Sequence, residues 1–78
     1  MDYIEIEDNN GNKIEMQVVT IFKLDGYSSN YMIYSDKEKK HYYVAKFNEN
    51  NTDLDTNLSD KEYELCDSVF KEVINRWN

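Results

Sequence analysis

Proline, cysteine, histidine and glycine are scarce in this sequence, whose 78 residues include no proline, one cysteine, one histidine and two glycines. One cysteine cannot form a disulfide within the chain, and one cysteine with one histidine does not make a structural zinc site. Gly11 and Gly26 lie too far apart to belong to one glycine-rich phosphate-binding loop. No apolar run approaches the roughly 18 residues that span a membrane. We therefore expect neither disulfides, nor zinc, nor a membrane span.

The length and the first residues predict a small cytoplasmic protein. A chain of 78 residues suffices for one hydrophobic core, so we assign residues 1–78 to a single domain. Met1 leads straight into Asp2 and Glu5, unlike the basic and then apolar start of a signal peptide.

Acidic residues outnumber basic residues by 16 to 9, which gives a net charge of −7. Direct binding to DNA or RNA relies on Lys and Arg to neutralise phosphates, so this balance argues against it. Residues 1–12 and 49–60 hold four acids each and no basic residue, whereas residues 35–48 hold four lysines against two acids. The acidic clusters are either solvated turns and ends or an acidic face for a basic partner.

Four segments have the alternation or the β-branched and aromatic content that favours β-strands. In approximate bounds they are residues 3–7, 13–24, 31–35 and 41–48. The Asn- and Gly-containing segment 9–12 and the pair Asp25-Gly26 predict tight turns. Because short connections join antiparallel neighbours, these strands are expected to form a meander.

Residues 60–76 carry the pattern of an amphipathic helix. Ser59 and Glu62 match the Ser-x-x-Glu capping box that begins many helices. Apolar residues then recur at spacings of three and four: Tyr63, Cys66, Val69, Phe70, Val73, Ile74 and Trp77. The sequence therefore predicts an α+β domain, in which one C-terminal amphipathic helix packs on one face of an antiparallel four-stranded meander sheet. A short fifth strand that starts at Leu54 is an alternative.

Several segments match, in order, those of one known family. They are Ile4-Glu5-Ile6-Glu7-Asp8 with Asn10-Gly11-Asn12, residues 15–22, Tyr31-Met32-Ile33-Tyr34, Val44-Ala45-Lys46-Phe47 and the acidic helix entry at 58–64. Over about residues 2–77 the sequence resembles the DUF1292 family of small acidic bacterial proteins. It departs from the family at Lys37, Lys39 and Lys40, where members are usually more acidic. The resemblance implies this fold and a bacterial cytoplasmic origin, and it implies no chemistry, because the family's role is uncharacterised.

Residues with catalytic potential are few and lie on different predicted elements. His41 begins the fourth strand, whereas Cys66 lies on the apolar stripe of the helix and is best explained as a small buried side chain. The carboxylates of Glu49, Asp53 and Asp55 lack the spacing and the glycine of a calcium-binding loop. We therefore expect no catalytic, cofactor-binding or metal-binding residue, and a protein that is not an enzyme.

The second face of the sheet is the best functional lead. Alternation along residues 13–24 places Ile14, Val18 and Phe22 on one face, which we take as the face under the helix. The candidate interaction surface on the opposite face then consists of Val19, Ile21, Tyr34 and Tyr42. Either long side chains and the 48–58 connection cover this face, or it binds a protein partner or a second copy of the chain.

Two functions fit these features. The first is a non-enzymatic protein-interaction module, which acts as a homodimer or as a small regulator of a larger assembly. The second is an acidic mimic of nucleic acid, of the kind with which a phage inhibits a nuclease, because an anionic surface can occupy a groove built for phosphates. Neither function involves direct binding to nucleic acid or to a membrane.

Overall fold

A computed structural model describes residues 2–38, 40–49 and 51–77 and shows one sheet with one helix. The elements are β1 (Tyr3–Glu7), β2 (Lys13–Lys23), β3 (Asn30–Ser35), β4 (Tyr42–Asn48), β5 (Asn51–Asp55) and α1 (Asp60–Trp77). The strands follow one another across the sheet in chain order, each antiparallel to its neighbour. The α+β class with a C-terminal helix is confirmed. The short fifth strand is present, but it starts at Asn51 and not at Leu54. Within these ranges, no helix is long and apolar enough to cross a lipid bilayer.

The turn between β1 and β2 is organised by the carboxylate of Asp8. Its Oδ1 accepts hydrogen bonds from the backbone N–H groups of Asn10 and Asn12, both at 2.9 Å. Gly11 has a φ of +82°, a conformation that side chains with a Cβ rarely adopt. The Asn- and Gly-containing turn that the sequence predicts is therefore formed, and it sets the register of β1 against β2.

One extra residue in β2 interrupts the regular alternation of its side chains. Val18 pairs with Tyr34 and Thr20 pairs with Ile33, so Val19 is a β-bulge with no partner residue of its own in β3.

Because of this bulge, the predicted covered face of β2 is wrong. Ile14 and Val18 lie on the side of the sheet away from α1. Phe22, which follows the bulge, stacks on Tyr31 on the side of α1, with ring centroids 5.8 Å apart. Strict alternation assigns all three to one face, and a single inserted residue separates them.

The predicted capping box begins α1. The Ser59 N–H donates to Glu62 Oε1 at 3.0 Å, and the Glu62 N–H donates to Ser59 Oγ at 3.2 Å. Further along, Asp67 and Lys71 form an i,i+4 ion pair at 3.1 Å on the exposed side of the helix.

The core under α1 is small. Tyr31, Leu58 and Cys66 are buried there, and Phe22, Leu24 and Val44 pack around them. The helix pattern also includes Trp77, whose side chain lies outside the described part of the structure. This core lies between α1 and one face of the sheet.

Candidate interaction surface

The face of the sheet away from α1 is almost entirely apolar, and we call it the open face. Its apolar side chains are Ile4, Ile6, Ile14, Met16, Val18, Ile21, Met32, Tyr34, Tyr43, Ala45, Phe47 and Leu54. Each of the five strands contributes to it. Since α1 packs on the opposite side, no helix within the described residues covers the open face.

The edge strands partly enclose the open face. Ile4 from β1 and Leu54 from β5 both pack against the central cluster of Met32, Tyr34 and Ala45. This cluster is buried although no helix among the described residues lies over it. Side chains from opposite edges reach the same cluster because the sheet curls, so the open face is concave. β5, which lies within residues 48–58, thus covers part of the open face, as one of the two alternatives for this connection predicts.

A pocket of about 410 Å³ remains in this concave face. Its walls are Ile4, Glu5, Ile21, Met32, Phe47 and Leu54. Ile21 is 54% exposed, and Ile14 and Tyr43 on the same face are each 43% exposed. Exposed apolar surface costs about 25 cal/mol per Å² relative to burial, and its grouping on one face is typical of a binding surface.

Two of the four residues predicted for the interaction surface, Ile21 and Tyr34, lie on the open face. Ile21 lies on it and is exposed. Tyr34 also lies on it but is only 5% exposed, because its ring stacks on that of Tyr43 with centroids 5.5 Å apart. Val19 is the bulge residue and is partly buried.

Tyr42 does not belong to the open face, contrary to the prediction. It pairs with Ser35 and packs against Phe70 of α1, with ring centroids 4.9 Å apart. Its neighbour Tyr43 occupies the open face instead. The sequence alone did not reveal which of two adjacent tyrosines points toward the helix, because the register of β4 is set by its pairing with β3.

A buried polar cluster joins α1 to the other face of the sheet. The side chain of Glu62 is 7% exposed and accepts a hydrogen bond from the Tyr31 hydroxyl at 2.5 Å. Lys46 lies 3.3 Å from the same carboxylate, and the Ser59 N–H donates to it as part of the capping box. A buried carboxylate with three donors is stable in its ionised form.

These contacts shift the pKa values of Glu62 and Tyr31 in opposite directions. The Ser59 backbone N–H, followed by the Tyr31 hydroxyl, lowers the pKa of Glu62 to about 2. Burial, followed by the hydrogen bond to Glu62, raises the pKa of Tyr31. Glu62 therefore stays charged and Tyr31 stays neutral across the physiological range, so the pair is suited to holding α1 on the sheet and not to exchanging protons.

The single cysteine and the single histidine lie in different environments. Cys66 is buried under α1, and burial followed by the nearby Glu62 raises the pKa of its thiol to about 11. The protonated thiol is a poor nucleophile at neutral pH. His41 is exposed in the turn before β4. In the described ranges, no group of three or more His, Cys, Asp or Glu side chains is arranged to hold a metal ion.

Comparison with known proteins supports the family resemblance. The family of proteins of unknown function DUF1292 matches residues 9–75, which is most of the chain. No curated protein and no solved structure matches the sequence or the fold.

Proposed function

The chain belongs to the DUF1292 family, and we propose that it is a non-enzymatic protein-interaction module that binds a partner protein through its open face. The observation that carries this proposal is the exposure of Ile21, which lines an apolar pocket of about 410 Å³, together with the exposure of Ile14 on the same face. A bound partner that places an apolar side chain in the pocket removes this surface from water.

The occupant we favour is a different protein and not a second copy of the chain. Each copy carries a net charge of −7. Two copies that face each other across the pocket bring like charges together, which disfavours association. A partner with an apolar side chain flanked by Lys or Arg meets no such penalty.

The test uses charge substitutions at exposed positions on the two faces. Ile21→Glu and Ile14→Glu place a carboxylate on the open face, and Tyr3→Glu is the matched control, since Tyr3 is 51% exposed but lies in register with Gln17 on the side of α1. Each variant is first shown by urea unfolding to be folded. Quantitative affinity capture from the source cells then compares the proteins retained by each variant.

We expect at least one protein to be retained by the wild type and by Tyr3→Glu and to be lost, by about tenfold or more, from both open-face variants. A set of captured proteins that is the same for all variants would contradict the proposal. Sedimentation velocity of the purified chain gives the further outcome. A dimer that Ile21→Glu dissociates would identify a second copy as the occupant.

A second candidate function, mimicry of nucleic acid, is favoured by the acids between β5 and the middle of α1. Residues 53–67 contain six acidic residues and one basic residue, and Asp55, Asp60 and Glu64 among them are exposed. This function predicts a basic partner whose binding weakens steeply as salt screens the charges. Binding that persists at 1 M salt, where the screening length is about 3 Å, would favour the apolar open face instead.

We further propose a bacterial cytoplasmic setting. The family resemblance and the single unpaired cysteine, which is buried as a thiol, support it.

A further inference from the structure

The outer edge of β4 is only partly occupied. β5 pairs with the C-terminal half of β4, through Lys46 with Asp55 and Asn48 with Asn51. β5 ends at Asp55, so within the described residues no strand lies beside residues 42–45 on that side. This half of β4 is therefore an edge, although the strand as a whole lies inside the sheet.

The alternation of the β3–β4 ladder shows which backbone groups this edge presents. The Asp36 N–H donates to the His41 carbonyl at 3.3 Å, which makes these two residues a hydrogen-bonded pair. In an antiparallel ladder, hydrogen-bonded pairs recur at every second residue, so Tyr43 exchanges bonds with β3. The N–H and C=O groups of Tyr42 and Val44 consequently point away from β3, toward the unoccupied edge.

A groove runs between this edge and the helix. It has a volume of about 240 Å³, and its walls include Tyr42, Tyr43 and Val44 of β4 and Tyr63, Asp67 and Phe70 of α1. A strand added beside β4 turns every second side chain toward the face on which α1 lies. Backbone pairing at Tyr42 and Val44 and side-chain burial in the groove are thus available to the same ligand.

The charges around the groove indicate the chemistry of the ligand. Asp55 ends β5 where the unoccupied edge begins, and Asp67, which also pairs with Lys71 at 3.1 Å, lies in the groove wall. Asp60 and Glu64 are exposed on the first half of α1, with Lys61 as the one basic residue between residues 53 and 67. A second copy of this chain would bring the same acids to the same place, whereas a segment with Lys or Arg is attracted.

We propose that residues 42–44 of β4, together with the groove between β4 and α1, bind an extended segment of a partner protein by strand addition. The segment alternates apolar residues, which enter the groove, with residues that include Lys or Arg. This site is separate from the open face, and its occupancy does not depend on the function proposed for that face.

The test begins with a phage-displayed library of random 12-residue peptides, selected against the folded full chain. Enriched peptides are synthesised, and their affinities are measured for the wild type and four variants. Val44→Pro removes an outward N–H and leaves the bonds between β3 and β4 in place. Tyr3→Pro is the matched control, because Tyr3 lies on the other edge strand of the sheet. Asp67→Lys reverses a charge in the groove, and Ile21→Glu alters only the open face.

We expect enriched peptides with alternating apolar residues and with Lys or Arg. Val44→Pro is expected to weaken their binding by about tenfold, which corresponds to one or two backbone hydrogen bonds. Asp67→Lys is expected to weaken it by about threefold or more, whereas Tyr3→Pro and Ile21→Glu leave it unchanged. In the wild type, peptide binding should shift the amide NMR signals of Tyr42 and Val44, and this measurement stands even if Val44→Pro fails to fold.

Three results would overturn the inference. The first is a selection that enriches no peptide, or only peptides without Lys and Arg. The second is binding that Ile21→Glu abolishes and Asp67→Lys does not change, which would place the peptide on the open face. The third is a dimer of the purified chain that shifts the amide signals of Tyr42 and Val44, which would make a second copy the occupant of this edge.

Discussion

The hydroxyl of Tyr31 donates a hydrogen bond of 2.5 Å to Oε2 of Glu62, and this bond ties the middle of the sheet to the first turn of α1. Tyr31 is fully buried, and the Glu62 side chain is almost so. The two residues are 31 positions apart in the sequence. Together with the apolar packing beneath the helix, their contact therefore fixes where α1 starts on the sheet.

Replacement of Tyr31 by phenylalanine should destabilise the fold while leaving its packing almost unchanged. A hydrogen bond to a charged group contributes about 1.5–3 kcal/mol, so we expect Tyr31→Phe to lower the free energy of unfolding by about that amount. Urea unfolding measures the change. Tyr27→Phe is the control, because Tyr27 packs edge-on against Tyr31 but is itself exposed. Equal stability of the two variants would contradict the importance of this bond.

The stability of the fold should decrease at both ends of the pH scale. Glu62 has a pKa of about 2 in the folded chain and an ordinary value of 4.5, so its contribution is complete above pH 4.5 and is lost as the pH falls toward 2. Cys66 has a pKa of about 11 against an ordinary 9.0, so its contribution is complete below pH 9 and is lost as the pH rises toward 11.

Urea midpoints measured from pH 2 to pH 11 test both the acid limb and the alkaline limb of this dependence of stability on pH. Glu62→Gln should flatten the acid limb, and Cys66→Ala should flatten the alkaline limb, apart from the part due to the raised pKa of Tyr31. An acid limb that keeps its full slope in Glu62→Gln would show that other carboxyl groups cause it.

Deletion of Val19 should be tolerated, because it removes the extra residue of the bulge and makes β2 a regular partner of β3. Val18 and Thr20 then become adjacent and keep their present faces. Deletion of Ile33 is the control, since β3 has no extra residue and is buried on both faces. We expect the Val19 deletion to unfold cooperatively in urea at a somewhat lower midpoint. The Ile33 deletion is expected to lose cooperative unfolding. The opposite order would show that Val19 is not the extra residue.

Replacement of Ser35 by alanine should leave stability unchanged or raise it by about 1 kcal/mol. Ser35 Oγ is fully buried and has no hydrogen-bond partner among the described residues. A buried hydroxyl without a partner retains its desolvation cost, which alanine avoids. Thermal unfolding compares Ser35→Ala with Ser68→Ala, in which the lost hydroxyl is exposed and donates to the Glu64 carbonyl. A loss of more than 1 kcal/mol in Ser35→Ala alone would indicate a partner for this hydroxyl.

The local parts of the fold were predictable because their physical causes lie within a few residues of one another. The turn at Asp8–Asn12 depends on the carboxylate of Asp8 and on a positive-φ glycine, Gly11, three residues later. The start of α1 depends on Ser59 and Glu62, three residues apart.

The candidate surface was predicted only in part. Ile21 and Tyr34 were correctly placed on the face away from α1, but Tyr42 was not, and the exposed Ile14 was assigned to the wrong side. One β-bulge at Val19 accounts for the error in β2, because a single extra residue reverses the alternation of all that follow. Nothing in the local pattern of residues 13–24 marks its position.

By itself, the sequence determined the class of the fold, the turns, the capped helix and the family. Each of these depends on hydrophobic periodicity or on hydrogen bonds between near neighbours. Tertiary structure decided which residues share the open face, where β5 leaves half of β4 as an edge, and that Glu62 is buried against Tyr31. Those features depend on strand register and on contacts between residues far apart in the sequence. The same local patterns are compatible with many different registers and pairings, so they do not specify these features.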